Sequence, residues 1–109
     1  MRADPAGEFT LREAGAGRLR AEGALTFATA RRASAAGLAQ VAHAGGSALT
    51  IDCAGVSHAD SAGLAVLIEW VAAARAAGGV LAIEGAPAEL RALARISEVG
   101  GLLGGDPAP

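Results

Sequence analysis

The sequence predicts an α/β fold, a mixed β-sheet that opens with an N-terminal hairpin and has helices packed on it. Three observations predict it. Two alternating polar and apolar segments flank a glycine-bearing loop near the start, two short apolar runs follow further on, and three alanine-rich segments at helical spacing lie before, between and after those runs.

Glu8–Glu13 and Arg18–Glu22 alternate and are separated by Ala14-Gly15-Ala16-Gly17, the pattern of a β-hairpin. A first helix is expected from about Phe27 to Ala44, with Leu38, Val41 and arginines at helical spacing, an interruption at Gly37 and an end at Gly45-Gly46. Ala48–Cys53 is short, largely apolar and partly β-branched, as a strand in the middle of a sheet would be, and it ends at Ala54-Gly55. A second helix is predicted from about Ser61 to Ala77, stopped by Gly78-Gly79, and Val80–Glu84 repeats the buried-strand pattern. Pro87 suits the first position of a third helix over Ala88–Ile96, because the N–H it lacks has no partner there anyway. Gly104–Pro109 has the composition of a frayed, disordered tail.

A chain of 109 residues supports one hydrophobic core, so a single domain over residues 1–109 is expected, with its core at about 8–103. Charged residues interrupt every apolar run before it reaches the roughly eighteen residues a membrane helix needs. The first residues carry one positive charge and no apolar stretch, which argues against a secretory signal and for a cytoplasmic setting. A lone Cys53 excludes an internal disulfide and a cysteine-built zinc site. The formal net charge of −2, no tyrosine and a single basic pair, Arg31-Arg32, argue against nucleic acid and against direct insertion into a membrane. About thirty alanines favour helix but bury little area each, so marginal stability or a need for a partner follows.

The junction Val56-Ser57-His58-Ala59-Asp60-Ser61-Ala62-Gly63-Leu64 carries the most information. Asp60 and Ser61 can both accept from free N–H groups of the second helix, and the Asp charge suits the positive end of its dipole. That capping role, worth about 1 kcal/mol, suffices to explain a serine here. Gly63 has no such excuse: glycine in a first turn gives up roughly 0.8–1 kcal/mol against alanine, which points to close approach of another backbone. At 100° per residue, Leu64, Leu67, Ile68 and Val71 form an inward stripe. Ala62, Ala65, Glu69, Ala72, Ala73 and Ala76 face outward, with Val66 and Trp70 on the shoulder, so the outer face carries one charge. Such a face is covered either by the chain itself or by a partner, and 109 residues leave little material to cover both sides.

Leu49 through Leu67, with its Asp60-Ser61-Ala62-Gly63-Leu64 centre after a buried strand and Gly55-Val56, resembles the signature of STAS domains. That fold is shared by bacterial anti-sigma factor antagonists and sulfate transporter tails, and the resemblance runs over about Arg18 to Leu103. Antagonists carry a phosphorylated serine where Ser61 stands, and an Asp in a Gly-Glu-Leu-Asp turn where this chain has Gly23-Ala24-Leu25-Thr26. The run Leu25-Thr26-Phe27-Ala28-Thr29, the short C-terminus and Pro87–Ala94 resemble instead the MlaB branch, STAS subunits of an ABC transporter of phospholipids that maintains outer-membrane lipid asymmetry.

That resemblance implies a non-enzymatic adaptor without a cofactor, cytoplasmic and held at the inner membrane through its complex. Its direct partner would be the MlaF-like ATPase subunit of the transporter, with the permease reached indirectly. Partner-binding residues are expected to be His58, Asp60, Ser61, Ala62, Gly63, Ala65, Val66, Glu69 and Ala73. The alternative is an anti-sigma factor antagonist whose partner is an anti-sigma factor kinase that phosphorylates Ser61.

Other chemistry finds less support. No phosphate-binding glycine loop lies between a strand and a helix. His58, Asp60 and Ser61 are neighbours in sequence without a nucleophile elbow, so no catalytic residue is expected. His43 and His58 lack metal-ligand spacing and read as surface histidines, and Cys53 reads as a small core residue.

Overall fold

A computed structural model describes residues 8–96; the tail expected at 104–109 lies outside them. The elements in chain order are β1 (Phe9–Glu13), β2 (Arg18–Leu25), α1 (Ala30–Ala44), β3 (Leu49–Ala59), α2 (Ser61–Ala76), β4 (Leu81–Glu84) and α3 (Ala88–Ile96). The sheet order is β1-β2-β3-β4, with β1 antiparallel to β2 and the other pairs parallel. Parallel neighbours require crossovers, and α1 and α2 supply them.

Side-chain alternation divides the sheet into two unlike faces. Leu19, Ala21, Ile51, Cys53, Leu81 and Ile83 point into the core beneath the helices. The residues between them face outward and include the ion pairs Arg12–Glu22 at 3.0 Å, Arg18–Glu84 at 2.9 Å and Arg20–Asp52 at 3.8 Å.

Several element boundaries depart from expectation, while α3 spans Ala88–Ile96 as expected. β3 does not stop at Ala54-Gly55 but continues to Ala59, because β2 also runs on to Leu25 and pairs with it, Leu25 opposite Ala59. Register irregularities between Arg20 and Glu22 and between Gly23 and Ala24 absorb the mismatch. α1 begins at Ala30 and not near Phe27, because the Thr29 hydroxyl donates to the Ala24 carbonyl at 2.8 Å and accepts from the Thr26 N–H at 3.1 Å. Residues 26–29 are thereby held as a turn. α2 ends at Ala76, before Gly78 at φ 85°. Pro87 sits just ahead of α3, its carbonyl accepting from Arg91 N–H at 3.0 Å.

Trp70 and Gly37 fix how α1 meets α2. Trp70 is fully buried, and a Cβ built at Gly37 would overlap its indole ring. Gly37 is therefore the seat of the ring rather than a mere interruption of α1. The indole N–H points at the Ser34 carbonyl, 3.4 Å away, and Phe9 stacks at a tilt with ring centroids 6.3 Å apart.

Candidate docking site at the start of the second helix

The site lies beyond the carboxyl ends of β2 and β3, where adjacent parallel strands feed into helices. Asp60 is the one residue between β3 and α2, in an extended conformation with φ −137° and ψ −171°. Its Oδ1 accepts from the Gly63 N–H at 3.1 Å and caps α2, while Oδ2 accepts from the Phe27 N–H at 3.0 Å. One carboxylate thus joins the β2–α1 turn to the β3–α2 junction, and its charge lies at the positive end of the α2 dipole. Glu89, on the first turn of α3, accepts from the Ala59 N–H at 3.3 Å and secures the junction from the other side.

Ser61 is exposed, and its hydroxyl makes no hydrogen bond among the described residues. Asp60 alone supplies the side-chain cap, so the capping argument that explained a serine from sequence applies to its neighbour instead. Ser61 shares an open, largely apolar groove with Ala59, Asp60, Glu89, Ala92, Leu93 and Ile96.

The expected docking residues separate into two groups. His58, Ser61, Ala65 and Glu69 are exposed, and Asp60, Ala62 and Ala73 are half-buried. Gly63 and Val66 are buried and are corrections to the expected surface. A Cβ at Gly63 would overlap the Leu25 carbonyl, so the close backbone approach inferred from sequence is made by this chain's own β2. Val66 is 5% exposed and Trp70 is not exposed at all, and Trp70 lies against Gly37 and Ser34 of α1. Ile68, assigned to the inward stripe, is only half-buried. The outward strip that survives comprises Ala65, Glu69, Ala72 and Ala76. Its single charge is engaged, the Glu69 carboxylate accepting from the Ser34 hydroxyl at 2.6 Å.

His58 does not assemble with Ser61 and Asp60. Its Nδ1 lies 3.1 Å from the Ser57 hydroxyl, and both Asp60 oxygens are occupied by backbone N–H groups. Cys53 is buried, and its thiol is pushed up to about 12 by burial and, to a smaller degree, by the Asp52 charge, which keeps it protonated and unreactive. No group of three His, Cys, Asp or Glu residues able to hold a metal occurs among the described residues. Among the same residues no helix is long and apolar enough to cross a membrane.

Two contributors escaped the sequence reading. Thr29 is a fully buried polar side chain, legible only as a β-branched residue near a helix start. Phe27 was expected inside α1, yet it sits on the turn with 84% of its surface exposed, beside Asp60.

A family model described as MlaB, STAS domain, matches residues 9–104. Among solved structures, the chain is similar to the anti-sigma factor antagonist SpoIIAA in its unphosphorylated form, with TM-score 0.68 and 15% identity, covering 87% of this chain and 84% of that one. At that identity the likeness is one of fold. Among curated proteins, none matches this chain.

Proposed function

Since the chain belongs to the STAS domain family, with the MlaB-type model spanning residues 9–104, we propose that it is an adaptor subunit of a phospholipid-transport ABC complex. It acts by binding the ATPase subunit and performs no chemistry of its own. Contact is made by the exposed Ser61 hydroxyl and by the outward strip of α2 at Ala65 and Glu69, with His58, Asp60, Ala62 and Ala73 at the margins.

The observation that carries this reading is Ser61. The Ser61 hydroxyl neither caps its helix nor bonds elsewhere among the described residues, and it stands at the head of a helix face made mostly of exposed alanines. Small side chains let a partner backbone come close over a wide strip, and the strip carries a single charge, Glu69, to desolvate. The test is co-expression with the transporter's ATPase and permease. Recovery of a stoichiometric complex, lost on Ala65→Arg, supports the adaptor; an ATPase that purifies without this chain refutes it.

A second reading is favoured by the same free hydroxyl together with the SpoIIAA-like fold: an anti-sigma factor antagonist controlled by phosphorylation of Ser61. A phosphate there meets the helix N-terminus, which welcomes it, and the carboxylates of Asp60 and Glu89 in the same groove, which oppose it. Intact-mass analysis of protein from its native cell separates the two readings. A near-complete phosphate on Ser61 favours the switch.

A further inference from the structure

The largest exposed apolar side chain beside the docking surface has no role so far. Phe27 is 84% exposed, so its ring adds little to folding. Surface apolar residues scattered singly need no explanation, but this one is held in place. Its N–H is bonded by the Asp60 carboxylate, the same group that caps α2 next to Ser61. The turn beneath it is closed by the buried Thr29 hydroxyl, which bonds both Ala24 and Thr26. A floppy loop would lose side-chain and backbone entropy on binding; a turn fixed from three sides has largely lost the backbone share already.

We propose that Phe27 is a second anchor of the docking surface, placing its ring in an apolar pocket of the partner protein while Ser61 and the α2 strip form the rest of the contact. The proposal rests on the adaptor reading and names the ATPase subunit as the occupant. Continuity supports this, since Asp60 ties the aromatic turn and the Ser61 junction into one unit. Charge adds to it. Arg31, four residues after Phe27 in the first turn of α1, is exposed, and an acidic rim on the partner's pocket would complement it. Aromatic anchors in desolvated pockets carry a large share of binding energy in protein interfaces.

The test measures the affinity of the purified full chain for the purified ATPase subunit of the transporter. Phe27→Ala weakens binding by about ten-fold or more, Phe27→Leu by less, and Arg31→Glu by several-fold at low salt. Melting temperatures of all three stay at the wild-type value, which separates lost contact from lost fold. Unchanged affinity of Phe27→Ala, with binding lost in Ala65→Arg, overturns this proposal and leaves the adaptor reading standing. No binding by the wild type overturns both. Wild-type sedimentation with phosphatidylglycerol and phosphatidylethanolamine vesicles, abolished by Phe27→Ala, overturns the proposal by assigning the ring to a lipid surface.

Discussion

Asp60 and Phe27 are 33 residues apart in sequence and joined by a 3.0 Å hydrogen bond from the Phe27 N–H to Oδ2. The other oxygen of the same carboxylate caps α2 through Gly63. Removing it leaves one helix-start donor and one turn donor without partners. Asp60→Ala is expected to cost about 1–2 kcal/mol, a fall in melting temperature of about 4–8 °C per kcal/mol for a domain near this size. Ser61→Ala, by contrast, removes a hydroxyl that makes no bond among the described residues and gains helix propensity, so its melting temperature stays within a degree or two of the wild type. Thermal unfolding of both variants checks the pair; equal losses would make Ser61 a co-cap.

Gly63→Ala tests packing against propensity. In an open first turn alanine would gain roughly 0.8–1 kcal/mol. Here the new methyl overlaps the Leu25 carbonyl, and neither backbone can yield because Leu25 pairs with Ala59 in the sheet. The expected result is a net loss of about 1–3 kcal/mol, or failure to fold. Gly37→Ala meets the buried Trp70 ring and should lose a similar amount, with a change in tryptophan fluorescence that Gly63→Ala does not produce. Urea titrations followed by fluorescence measure both; a stabilised Gly63→Ala would contradict the close approach.

How far such features could be read from sequence depends on whether their cause is local. The start of α2 was legible because Asp60, Ser61 and Gly63 carry capping and backbone information within four residues. That Gly63 faces a backbone was also legible, but that the backbone is Leu25 depends on the parallel register of β2 and β3, which no local pattern encodes. A helical wheel placed Leu64, Leu67 and Val71 inward correctly and failed at Val66 and Trp70. The wheel assumes one covering layer, whereas α2 has the sheet on one side and α1 on another. Likewise Ala54-Gly55 looks like a strand end in isolation and becomes mid-strand only because β2 extends beside it.

Ala65 and Ala72 are exposed on α2. Arginine at either is expected to change stability by less than about 0.5 kcal/mol, while the bulk and charge block a close-packed partner. Ala73, half-buried, is the less clean probe, since its loss of binding could reflect loss of packing. Analytical gel filtration with the ATPase subunit, paired with circular dichroism of each variant, checks this. Wild-type complex formation by Ala65→Arg and Ala72→Arg would remove the α2 strip from the interface.

Alkaline pH offers a test of the core that is nearly free of other titrations. All nine basic side chains are arginine and there is no tyrosine, so Cys53 is the side chain that ionises between pH 9 and 12. Burial first, and the Asp52 charge second, raise its folded value from 9.0 to about 12. In that window the native thiol keeps its proton while the unfolded one loses it, so the native state binds more protons and stability falls as pH rises. Below pH 9 the two states are equally protonated and the full stability is present. The slope above it approaches about 1.4 kcal/mol per pH unit. Urea midpoints at pH 8, 9, 10 and 11 should therefore decline beyond pH 9 in the wild type. In Cys53→Ala they should start lower, for loss of the buried sulfur, and stay flat. An equal decline in both would mean that the thiol is not the group responsible, and that Cys53 is less enclosed than the packing of β3 beneath the helices requires.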